Sequence, residues 1–74
     1  MDNPTQTLHS RVRDSFAASG LSLNALAEAT GIPRTTLRRK LAGLAEFTFS
    51  ELIRLAAALD SDVAAWTAGL TVAA

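Results

Sequence analysis

Four basic side chains gather in one short stretch of a chain whose formal net charge is zero. They are Arg34, Arg38, Arg39 and Lys40, and no acidic residue occurs from residue 29 to residue 45. Guanidinium and ammonium groups clustered in this way can bind an anionic partner such as a nucleic-acid backbone. In a generic helical protein, however, such a cluster is more often a solvated helix face. The elements that position the four side chains decide between these interpretations.

Start and stop signals predict one all-α domain of five short helices in this chain of 74 residues. Pro4 and Gly20 bracket the first helix, Ser22 is a good N-cap for the second, and Pro33 suits the start of the third. Thr48 and Glu51 form a T-x-x-E capping box at the start of the fourth. The predicted helices span about 4–19, 23–30 and 34–42, then run from Thr48 to Leu59 and from near Ser61 towards Gly69.

The spacing around the second and third helices is typical of two helices that meet at a steep angle. Ala27 is small enough to allow a close crossing, and Gly31 can take a positive φ without steric cost. Ile32 then points into the core, and Leu37 faces back onto the preceding helix. This pattern predicts a helix-turn-helix, whose second helix can enter the major groove of DNA.

The stretches GLSLNALAEATGIPRTTLRRKLAG and FSELIRLAAALD resemble the lambda-repressor and Cro superfamily. The resemblance covers about residues 11–69 and implies a single five-helix lambda-repressor-like domain over 1–74, with its helix-turn-helix at about 23–42 and a short tail at 70–74. Two departures stand out. Leu23 and Arg34 occupy positions where the family often has glutamine, so the contacts of those glutamines do not carry over. Lys40 occupies a usually apolar position, which predicts a rotated or frayed end of the third helix.

The helix-turn-helix frame favours the anion-binding interpretation of the basic cluster. With Leu37 and Leu41 turned inward, a step of about 100° per residue places the basic residues and a threonine on the outer arc. Arginine can bond to both guanine O6 and N7, and a threonine methyl group suits the methyl group of thymine. The predicted base contacts are Arg34, Thr35, Arg38 and Arg39, and the predicted phosphate contacts are Ser22, Asn24 and Lys40.

The resemblance implies a sequence-specific regulator of transcription that binds a double-stranded DNA operator, with a phage or prophage repressor favoured. The alternative is an antitoxin or adaptor that acts mainly through protein contacts. We expect a weak homodimer at most, favoured on DNA, in the cytoplasm and associated with the nucleoid of a bacterial host. No cofactor, small-molecule ligand, membrane or enzymatic activity is expected.

Five remaining residues carry weaker hypotheses. His9 is the single histidine and lacks ligand-spaced partners, so we expect a surface residue and no metal site. Trp66 is predicted to lie in the core, with self-association through Val63 and Trp66 as the alternative. The end of the chain, with Ala73 and Ala74, resembles a degradation tag, although an ordinary alanine-rich terminus is the favoured interpretation.

Overall fold

The computed structural model describes residues 4–70, which form five α-helices and no strand. The helices are α1 (Pro4–Ser19), α2 (Leu23–Thr30), α3 (Arg34–Leu41), α4 (Phe49–Ala58) and α5 (Val63–Thr67). The predicted all-α, five-helix architecture is therefore confirmed. Ala73 and Ala74, which carry the degradation-tag hypothesis, lie outside the described residues.

Side-chain caps set the helix starts that the sequence signals predict. Ser22 Oγ accepts a hydrogen bond from Ala25 N at 3.1 Å at the start of α2. The capping box at the start of α4 forms in both directions. The fifth helix starts slightly later than predicted, because the Asp62 carboxylate, rather than Ser61, accepts from the first turn. Gly31 ends α2 with a φ of +74°, a backbone conformation that favours glycine.

A single cluster of buried apolar side chains holds the helices together, and its fully buried members come from four elements. Leu26, Leu37 and Leu55 are completely inaccessible in α2, α3 and α4, as is Val12 in α1. Ile32, in the turn between α2 and α3, is buried with them, as the spacing predicts. The helix α2 packs against both α3 and α4, while α1 packs against α3 and α5. This arrangement fixes α3 on two sides.

Trp66 belongs to this core, as the sequence predicts. Its ring is only 2% exposed, and its Nε1 donates a hydrogen bond to Ser15 Oγ at 2.8 Å. The Arg11 guanidinium in α1 donates to Trp66 O at 3.0 Å and to Ala68 O at 2.6 Å, which ties the end of α5 to α1. Val63 is half-buried against the same core. Self-association through Val63 and Trp66 stays a prediction.

His9 is also buried, which corrects the expectation of a surface position. Its Nε2 donates to Ala45 O at 2.9 Å, and its ring lies 5.0 Å from the ring of Phe47. The physical reason is helical spacing: His9 precedes the fully buried Val12 by three residues and therefore shares its face of α1. His9 thus fastens the segment between α3 and α4 to the first helix.

The fold predicts that Leu37→Ala destabilises the protein by about 2–5 kcal/mol, because the substitution leaves a cavity in the centre of the core. Arg39→Ala, on the exposed face of the same helix, is the matched control and should change the free energy of unfolding by about 0.5 kcal/mol or less. Urea denaturation followed by circular dichroism measures both. A Leu37→Ala variant as stable as the control would contradict the assigned core.

Candidate nucleic-acid interface

The helix α3 divides into an apolar face that is buried and a basic face that is exposed. Leu37 and Leu41 are buried in the core, with 0% and 6% exposure. The four side chains predicted to contact bases all lie on the solvent side: Arg34, Thr35, Arg38 and Arg39. Three guanidinium groups and one hydroxyl thus project from a rigidly held helix into solvent.

Part of this positive charge also suits the helix itself. Arg38 and Arg39 lie in the last turn of α3, where positive charge interacts favourably with the helix dipole. Arg34, in the first turn, has no such role. Side chains in the first turn of a recognition helix point towards base edges.

A hydrogen bond joins α2 directly to the exposed start of α3. Arg34 Nη1 donates to Asn24 Oδ1 at 3.2 Å, across the turn that contains Gly31. The amide of Asn24 therefore restrains the guanidinium of Arg34 before any partner binds. Sequence reasoning assigned both residues to the site but did not anticipate that they bond to each other.

Asn24 and Ser22 lie together at the start of α2. Ser22 Oγ is used as an acceptor in the N-cap, yet its hydroxyl still carries a proton that it can donate. The first backbone N–H groups of a helix have no intrahelical partner and suit an anion. The start of α2 thus presents hydrogen-bond donors close to the basic face of α3.

Lys40 does not belong to the exposed basic face. Its Nζ lies 2.5 Å from Glu51 Oε1 and 2.7 Å from Oε2, and the two side chains are only 13% and 15% exposed. The end of α3 is not frayed, because the helix continues to Leu41, whose side chain is buried. The ammonium group occupies the usually apolar position by pairing with an acid from α4. The ammonium group of Lys40 thus joins α3 to α4 in this structure.

Glu51 combines this ion pair with the capping box of α4. Its Oε1 accepts from Thr48 N at 2.7 Å, and its own backbone N–H donates to Thr48 Oγ1 at 3.1 Å. Partial burial by itself raises the pKa of Glu51, but the hydrogen bonds from Lys40 and Thr48 and the charge of Lys40 outweigh it. The pKa of Glu51 therefore lies below its ordinary value of 4.5. The carboxylate stays charged, as both interactions require.

The comparisons with known proteins agree with this geometry. A family model described as helix-turn-helix matches residues 12–66, which is most of the chain and includes α2, the turn and α3. No curated protein and no solved structure matches the chain. Among the described residues, no helix is both long and apolar enough to cross a membrane, and no cluster of three or more potential ligands could hold a metal ion.

The lowered pKa of Glu51 predicts that its ion pair stabilises the fold above about pH 4.5 and that this contribution is lost as the pH falls further. At neutral pH, Glu51→Gln should cost about 1 kcal/mol, because glutamine retains the capping geometry but not the charge. The difference in melting temperature between the wild type and Glu51→Gln should shrink in acid. Glu46→Gln, at an exposed acid nearby, is the matched control. A difference that does not change with pH would contradict the ion pair.

Proposed function

Because the chain belongs to the helix-turn-helix family of the Cro and lambda-repressor type, and is therefore a DNA-binding regulator of transcription, we propose that it is a sequence-specific phage or prophage repressor. It inserts α3 into the major groove of its operator. The observation that carries this proposal is the exposed basic face of α3, which Leu37 and Leu41 hold outward from the core. Its site of action is then the nucleoid of a bacterial cell.

The side chains of this face suit base edges in the major groove. Arg34, Arg38 and Arg39 carry planar guanidinium groups, each of which can donate two hydrogen bonds to O6 and N7 of one guanine. Thr35 adds a methyl group for thymine contact and a hydroxyl that can donate or accept.

We assign the phosphate contacts to the start of α2. Ser22 and Asn24 are exposed there, together with the first backbone N–H groups of the helix. Contacts of this kind fix the position of the helix-turn-helix on the duplex and supply little sequence preference. We remove Lys40 from this set, because its ammonium group is held by Glu51.

Repression follows from occupancy of the operator by this domain alone. A domain that fills the major groove at an operator excludes other proteins from the same face of the duplex. No second activity is required of the chain. Residues 12–66, which match the family, contain all the side chains that we assign to DNA. The alternative, an antitoxin or adaptor acting through protein contacts, predicts that the basic face is dispensable.

The hydrogen bond between Asn24 and Arg34 predicts that the two residues act as a pair on DNA. Arg34→Ala should weaken specific binding less in an Asn24→Ala background than in the wild type, because the arginine has already lost its restraint. A double-mutant cycle on the selected site should give a coupling of about 0.5–3 kcal/mol. Effects that add to within about 0.5 kcal/mol would instead show that the residues are independent.

The basic face itself is tested by single substitutions. A site is first selected from a random DNA pool, and each variant is then titrated against that duplex and a scrambled one at several salt concentrations. Arg38→Ala and Arg39→Ala should each cost about 1–3 kcal/mol on the selected site and relax the preference at one position. Their melting temperatures should stay close to that of the wild type.

Lys40→Ala is the matched comparison within the same basic stretch. Because Lys40 is paired with Glu51, its loss should lower the melting temperature while leaving the salt dependence of DNA binding nearly unchanged. A free phosphate contact would instead make the logarithmic salt slope shallower by about one. If the arginine variants bind both duplexes as the wild type does, the face is solvated and the adaptor alternative takes its place.

A further inference from the structure

Lys40 is the cation of the basic stretch that α3 does not expose. Its side chain is 13% exposed, whereas Arg34, Arg38 and Arg39 lie in solvent. A step of about 100° per residue places Lys40 midway between the exposed Arg39 and the buried Leu41. From this flank of the helix, its flexible stem can turn inward to α4 or outward to solvent. The partner of the ammonium group therefore decides how much charge α3 offers.

We propose that Glu51 withholds Lys40 from DNA, so that Lys40 is a latent phosphate contact. Glu51 does not itself touch the duplex. It is a positioning residue, which acts through Lys40 and sets the number of positive charges with which α3 meets DNA. In naming DNA as the anion, this inference rests on the proposed function, whereas the masking of the ammonium group does not.

The carboxylate of Glu51 is the fixed member of the pair. Its Oε1 also accepts a hydrogen bond from Thr48 N at 2.7 Å, which holds the carboxylate at the start of its own helix. Its two oxygens lie 2.5 and 2.7 Å from Lys40 Nζ. Because both side chains are mostly buried, salt screens this pair much less than it screens exposed charges. A phosphate group must therefore displace an acceptor that is anchored and already desolvated.

Withholding one cation lowers the part of DNA binding that does not depend on sequence. Phosphate contacts act on every duplex alike, and each neutralised phosphate changes the slope of log affinity against log salt by about 0.9. The exposed positive charge of α3 is then confined to guanidinium groups, which can also bond to base edges. The ion pair thus reduces the affinity for all sequences by one factor and leaves the choice among them to the arginines.

Glu51→Gln tests this role on DNA, at a temperature at which circular dichroism shows every variant to be folded. Glutamine keeps an acceptor oxygen for Thr48 N but loses the charge that holds Lys40. At low salt, its affinity for the selected and the scrambled duplex should rise by the same factor. Between 50 and 200 mM salt, its affinity should fall about 3–4-fold more than that of the wild type, as one added phosphate contact requires. Glu46→Gln, which removes an exposed acid between α3 and α4, is the matched control and should keep the wild-type salt slope.

Lys40→Met separates the release of the lysine from the mere loss of a negative charge. Methionine keeps an unbranched apolar stem and has no ammonium group. Lys40→Met alone should keep the wild-type salt slope, and adding Glu51→Gln to it should leave that slope unchanged, because no ammonium group remains to be released. A steeper slope in the double variant would overturn the proposal. So would a shallower slope in Lys40→Met alone, or an unchanged slope in Glu51→Gln alone.

The masking itself is tested without DNA, because Lys40 is the single lysine of the sequence. Acetylation by acetic anhydride is followed by mass spectrometry of the peptide that contains Lys40, with an added lysine peptide as the internal reference. Lys40 should react several-fold faster in Glu51→Gln than in the wild type or Glu46→Gln. The selected duplex should then protect Lys40 in Glu51→Gln and leave the wild-type rate unchanged. Faster acetylation in a protein that binds no duplex would uphold the masking and refute the proposed function, whereas specific DNA binding with equal acetylation rates would do the reverse.

Discussion

The burial of Leu37 in the apolar core that α1, α2 and α4 share is the constraint on which the rest of this structure depends. Leu26, Ile32, Leu37 and Leu55 come from three helices and the turn between two of them, and each is almost or entirely inaccessible. Their shared burial sets the angle between α2 and α3. It also forces the opposite side of α3 outward. The exposed arginines are therefore a consequence of the core, since no interaction of their own is needed to present them.

Electrostatics adds a second level of organisation to this core. The formal charge of the chain is zero, yet the segment from residue 29 to residue 45 carries four basic residues and no acid. One of these, Lys40, neutralises Glu51 and is removed from the surface. The three arginines that remain form an exposed face that is entirely positive. Exposed acids such as Asp60 and Asp62 lie beyond α4. A neutral molecule with this polarity can meet DNA in one orientation and repel it in others.

Most of the fold could be predicted from the sequence, because local signals determine it. Ser22, Gly31 and the Thr48–Glu51 capping box each act within one turn of the chain, and each lies where the pattern placed it. The partners of Lys40 and Asn24 could not be read in the same way. Both bonds join residues ten or eleven apart on different helices, so they depend on how the helices pack. A signal for the first did exist: a lysine at a usually apolar position requires an acid, and Glu51 opens the next helix.

The two-sided construction of α3 has a consequence for how this protein can diverge. The interactions that fix the helix pass through Leu37, Leu41 and Lys40, whereas Arg34, Thr35, Arg38 and Arg39 face solvent. Exposed positions of this kind accept substitution with little effect on stability. Within the proposed function, the preferred operator can therefore change in small steps, one outward residue at a time, while the scaffold beneath remains the same. Lineages that share this core are then free to acquire separate targets.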